Sequence, residues 1–83
     1  MYEVIFSSKA ENQLKKLDKQ IQERIIVALE RISIRPEHFV EKLIGETGFK
    51  LRVGDYRIIL DIDNNKLLIL VLKLGHRKNI YNR

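Results

Sequence analysis

The sequence predicts an α+β fold of order βααβββ: a small, antiparallel-rich twisted sheet with a helical hairpin packed on one face. Three observations carry this. Two stretches with apolar residues at helical spacing follow one short β-rich run. A single proline, Pro36, closes the second stretch. Three strand-like runs then follow, separated by the turn pairs Gly54-Asp55 and Asn64-Asn65. Helices grouped before the strands belong on one side of a sheet rather than alternating with it.

The elements follow in order. YEVIF, residues 2–6, is rich in β-formers. Ser8 with Glu11 three residues on makes a capping-box pattern and starts a helix. Ala10, Leu14 and Leu17 give it an apolar face. Asp18 is the next N-cap. Ile21, Ile25, Leu29 and Ile32 form an i, i+4 stripe, and Pro36 stops that helix near Arg35. The outer surface of this pair remains available to a partner. EHFVEKLIGETG, residues 37–48, is a connection with some helical character. Strands are expected over about 49–53, 56–62 and 66–74. Glycine at its first central position suits Gly54-Asp55 to a type II′ turn, and Asn64-Asn65 suits a type I′ turn. KLLILVLKL is apolar on both faces, as a strand inside the sheet should be. Gly75 is read as its end.

The 83 residues suit one domain, 1–83, with a modest core. With no cysteine, the chain carries neither a disulfide framework nor a thiolate nucleophile or metal ligand. The start lacks a signal-peptide pattern, and the longest apolar run, residues 67–72, is too short to span a bilayer. A cytoplasmic protein is expected. The net charge of +5 is unevenly spread. Residues 1–47 balance eight basic against eight acidic side chains, whereas residues 48–83 hold eight basic and three acidic ones, Asp55, Asp61 and Asp63. That asymmetry points to a polyanionic partner.

FKLRVGDYRIIL, residues 49–60, sharpens this. A two-residue loop at Gly54-Asp55 pairs Val53 with Tyr56, Arg52 with Arg57, Leu51 with Ile58 and Lys50 with Ile59. Phe49, Leu51, Val53, Tyr56, Ile58, Leu60 and Ile62 then share the face that packs on the helices. Lys50, Arg52 and Arg57 share the other, with no acid beside them in the hairpin. Two arginines directly opposite repel, and an anion between them reverses the sign. The tail, GHRKNIYNR, adds His76, Arg77, Lys78 and Tyr81. One helical turn brings Arg77 and Tyr81 together. Cations that hold phosphates beside a ring that stacks on a base suit RNA.

KLRVGDYRIIL followed by LKLGHRKNIYNR resembles the RelE/ParE superfamily of toxins from toxin–antitoxin systems, and the tail is closer to its RelE branch. The resemblance covers essentially the whole chain. It implies a ribosome-dependent mRNA endonuclease that cuts in the A site without metal or cofactor, together with a RelB-like antitoxin that blocks it. It also implies a catalytic set of Lys50, Arg52, Arg57, Arg77 and Tyr81, with His76 where some relatives use histidine in acid–base work. Lys50, Arg52, Arg57, Arg77 and Lys78 would bind RNA. Arginine at 52 departs from the lysine of well-studied members, and a guanidinium does not serve as a base. Lys50 would act as base if the crowd of cations favours its neutral amine, and His76 is the alternative proton donor. The arginines would stabilise charge on the phosphoryl oxygens, and Arg57→Ala is expected to remove cleavage and leave the fold intact. The competing readings are a ParE-like inhibitor of DNA gyrase, a non-catalytic module that binds RNA or antitoxin, and an attenuated toxin.

Overall fold

The computed structural model describes residues 1–80. It contains β1 (Glu3–Phe6), α1 (Ser8–Lys15), α2 (Lys19–Ile32), a 3₁₀ turn (Pro36–His38), β2 (Glu41–Lys42), β3 (Phe49–Val53), β4 (Tyr56–Asp63), β5 (Leu68–His76) and a short α3 (Arg77–Ile80). The strands form one sheet in the order β1-β5-β4-β3-β2. Only β1 with β5 is parallel; the other three pairs are antiparallel. No helix among the described residues is long and apolar enough to cross a membrane.

The core lies between one sheet face and the two long helices. Ala10 of α1 and Ile25, Leu29 and Ile32 of α2 are buried against Leu51, Ile58, Leu60, Ile69, Val71 and Leu74. Leu14, Leu17, Ile21, Phe49 and Ile62 pack around them. These are the stripes expected from periodicity. The expected β3–β4 register is also present, with Arg52 opposite Arg57 and Val53 opposite Tyr56. Gly54 has φ +58°, and Asp55 is not among the positive-φ residues. That φ pair belongs to a type II′ turn.

Several local expectations are corrected. The N-cap of α1 is Ser7, one residue before Ser8: its Oγ accepts from the Ala10 amide at 3.0 Å. Helix α2 ends at Ile32, short of Arg35, because the buried Ser33 Oγ donates to the Glu30 carbonyl at 2.6 Å and the chain then turns into Pro36. The connection 37–48 contains a fifth strand, β2, paired with β3. The second hairpin has four loop residues, 64–67. Its left-handed residue is Leu67 (φ 56°) rather than an asparagine. The Asp63 carboxylate organises this loop by accepting from the amides of Asn65 and Lys66, each at 3.0 Å. A side chain that turns the backbone locally replaces the type I′ geometry.

Strand β5 also runs through Gly75 to His76 instead of stopping at the glycine. A bulge makes this possible. Ile59 pairs with Lys73 and Leu60 with Val71, so Leu72 is an extra residue. Strict alternation after Ile69 and Val71 would turn Lys73 into the core. The bulge leaves Lys73 half-buried and lets Leu74 enter instead. Strand β1 reaches only as far as Val71. Beyond it, two side chains replace the missing strand. Ser7 Oγ donates to the Leu72 carbonyl at 2.8 Å, and Gln13 Oε1 accepts from the Leu74 amide at 2.8 Å. Buried backbone groups need such partners.

Candidate nucleic-acid interface

The face of the sheet away from α1 and α2 carries the charge. Lys50 and Arg52 of β3, Arg57 of β4, and Arg77 and Lys78 of α3 line one open cleft of about 360 Å³. Every described side chain lining it is cationic. Cross-strand register places Lys50, Arg52 and Arg57 there. Arg77 and Lys78 arrive because β5 passes straight into α3 at His76.

The Gly54-Asp55 turn organises these groups. Arg57 is only 9% exposed, and its Nη1 donates to the carbonyls of Gly54 and Tyr56, both at 3.0 Å. The Asp55 carbonyl accepts from the Arg77 amide at 2.8 Å. One tight turn therefore fixes the Arg57 guanidinium and the start of α3. On β5 the residue opposite Arg57 is Gly75, which brings no side chain. A guanidinium has five N–H donors, so two carbonyls leave Arg57 with donors to spare. Chain geometry holds this cation in place, which is how charge stabilisation is prepared before a ligand arrives.

The expected repulsion between Arg52 and Arg57 is resolved differently on the two sides. Arg57 turns to the backbone carbonyls. Arg52 turns to Glu41 of β2, with Nε 3.3 Å from Oε1. An acid therefore does stand beside the basic hairpin, contrary to expectation. It comes from β2, inside the 37–48 segment whose sequence predicts a connection. At 60% and 59% exposure this ion pair is a surface contact that an anion can displace.

The cleft brings together Lys50, Arg52, Arg57, Arg77 and Lys78; of the expected residues that the structure describes, His76 is left out. His76 pairs with Tyr56, on the helix side of the sheet by register, and the two rings meet edge to face at 5.6 Å. Its Nδ1 accepts from the Lys78 amide at 3.2 Å. Tyr81 lies outside the described residues. No group of three His, Asp or Glu side chains among the described residues is placed to hold a metal ion. Sequence reasoning missed Glu41 and the two turn carbonyls. A two-residue strand carries no periodicity, and backbone acceptors carry no sequence signal.

A family model described as the ParE toxin of type II toxin–antitoxin systems matches residues 4–81. The chain is a toxin of the RelE/ParE superfamily. The toxin is 31% identical over 85 residues to Toxin RelG of Mycobacterium tuberculosis, a match that spans 99% of this chain and 98% of its relative. Its fold is similar to a chain in the RelBE2 toxin–antitoxin complex of the same organism, with a TM-score of 0.83 and 30% identity over 92% of this chain and 98% of the other. It is also similar to a chain of the RelE–RelB complex of Pyrococcus horikoshii, with a TM-score of 0.76 and 25% identity over 94% and 97% of the two chains. The toxin thus has the fold that its sequence implied.

Proposed function

We propose that this toxin is a ribosome-dependent endoribonuclease that cuts mRNA in the A site, acts in the cytoplasm and is held in check by a RelB-like antitoxin. The observation that carries this reading is the cleft lined by five cationic side chains from β3, β4 and α3. Similarity to chains of RelBE complexes supports an antitoxin partner.

The reaction is a transesterification. The ribose 2′-oxygen loses its proton and bonds to the adjacent phosphorus, and the 5′-oxygen leaves and is protonated. The products are a 2′,3′-cyclic phosphate and a 5′-hydroxyl. Negative charge grows on the non-bridging oxygens, and fixed cations oppose it at little reorganisation cost. Arg57 takes that role most directly because the turn already holds it. Arg77 and Arg52 reach the same phosphate from two sides, Arg52 by exchanging Glu41 for it. Lys50, as the neutral amine, takes the 2′-proton as general base, and the ammonium so formed gives a proton to the departing 5′-oxygen. We assign His76 to positioning α3 through its bond to the Lys78 amide, and Tyr81 to stacking on a base. The reading needs no metal or cofactor.

The test is primer-extension mapping of a defined mRNA on programmed ribosomes with an empty A site. Arg77→Ala is the variant of choice, since Arg77 is exposed. Cuts in the A-site codon by the wild type that vanish in the variant are expected. Unchanged cuts in the variant would remove Arg77 from the site. The ParE description of the matching family model favours a second reading, inhibition of DNA gyrase. Folded wild type that leaves mRNA whole and blocks gyrase supercoiling decides for it.

A further inference from the structure

A second groove adjoins the first. It lies between the outer face of α2 and the end of the β3–β4 hairpin, with a volume of about 640 Å³. Arg24, Val27 and Arg31 of α2 line one wall, and Arg52, Val53 and Gly54 line the other. Spacings of three and four residues put Arg24, Val27 and Arg31 on one helix face. Val27, on the face of α2 turned away from the sheet, is 51% exposed. Arg24 reaches across to the bare turn: a Cβ on Gly54 would lie 3.0 Å from its Nη2.

Arg52 lines both grooves. The Gly54 turn is therefore a saddle between them. On one side stand Lys50, Arg57, Arg77 and Lys78, and on the other Arg24 and Arg31. The carboxylates along this path among the described residues are Glu23 in the second groove, Glu41 beside Arg52 and Asp55 in the turn itself. Positive charge thus predominates around the end of the hairpin, seven cations against three carboxylates, from the open face of the sheet to the outside of α2.

We propose that the Arg24–Arg31 groove is a second RNA subsite, which holds the single strand as it leaves the five-cation cleft and passes over the Gly54 turn. This rests on the RNA reading of that cleft and adds the strand's path. The two flanking guanidiniums take successive phosphates, and Val27 and Val53 form an apolar floor for a base face. A ligand with evenly repeated charge suits a track on which cations predominate across two faces. An acidic protein segment has no such reason to follow the shared Arg52 into the first cleft.

The test is fluorescence anisotropy of the full chain with labelled oligouridines of roughly 4 and 16 nucleotides, a range that spans one and two subsites. Arg24→Gln/Arg31→Gln is compared with Arg77→Ala. The single Arg31→Gln variant, about two helical turns from the Gly54 contact, guards against damage to the turn. The double variant is expected to bind the longer strand roughly 5- to 20-fold more weakly at low salt and the shorter one within about twofold of wild type. Its log–log salt slope for the longer strand should fall by about 1.4, two contacts at ~0.7 each. Arg77→Ala should weaken both strands. Equal loss on both strands in the double variant, or no loss on either, overturns the subsite and leaves the first cleft standing if Arg77→Ala still weakens both. Loss in neither strand from Arg77→Ala overturns the cleft reading and the subsite with it. Poly-glutamate that binds as tightly as the longer strand and loses affinity in the double variant gives the groove to a protein partner and overturns the RNA assignment.

Discussion

Replacing Arg57 by alanine is expected to destabilise the toxin substantially, which revises the idea that this substitution removes cleavage alone. Arg57 is 9% exposed and donates twice to backbone carbonyls, at 3.0 Å each. A bond from a charged donor contributes about 1.5–3 kcal/mol when enclosed. The Gly54 residue is exposed, so its carbonyl regains water once freed, and the lower end of that range applies. Loss of packing along the arginine stem adds to the cost. Two such bonds and the stem together come to roughly 3–4 kcal/mol. For a chain of 83 residues each kcal/mol moves Tm by about 4–8 °C, which gives a fall of roughly 12–32 °C. Arg52→Ala is the matched control. It breaks one exposed ion pair of about 0.2–1 kcal/mol and should lower Tm by no more than about 8 °C. Circular-dichroism melts of both variants decide. Arg57→Ala melting within about 4 °C of wild type, or above Arg52→Ala, would refute the role of the turn carbonyls. A cleavage assay on Arg57→Ala is therefore interpretable only below its own Tm.

Three further outcomes are expected. Gln13→Leu should cost about 1–3 kcal/mol in urea unfolding, because the Leu74 amide loses its acceptor beyond the end of β1. Gly48→Ala should destabilise by a similar 1–3 kcal/mol, since Gly48 has φ +107° and an added Cβ would lie 3.1 Å from the Leu60 carbonyl oxygen; a neutral melt would refute it. Leu67→Gly should stabilise by up to about 1 kcal/mol, because Leu67 occupies the left-handed region at φ 56° while 46% exposed, so little packing is lost. Its urea midpoint should rise, and a fall would show that the leucine side chain matters more than its backbone strain.

Periodicity alone determined a good deal about this toxin. The stripe Ile21, Ile25, Leu29, Ile32 specifies which face of α2 is buried, because a helix returns to one side every three to four residues. Gly54 specifies the first hairpin, because few residues other than glycine accept its φ. The hairpin in turn specifies register, and register puts Lys50, Arg52 and Arg57 on one face. The tertiary structure decided what those charges do. Arg57 is held by carbonyls, which every residue possesses and no sequence pattern marks. Arg52 meets Glu41 because a two-residue strand too short for periodicity closes the sheet edge. The Leu72 bulge keeps Lys73 out of the core, and Gln13 serves β5 across sixty-one positions of sequence. His76 sits on the helix side because that bulge resets the alternation after Val71 and β5 runs on through Gly75. Alternation and turn residues act over a few positions and are legible in order along the chain. Long-range acceptors, edge strands and bulges exist only once distant segments have met.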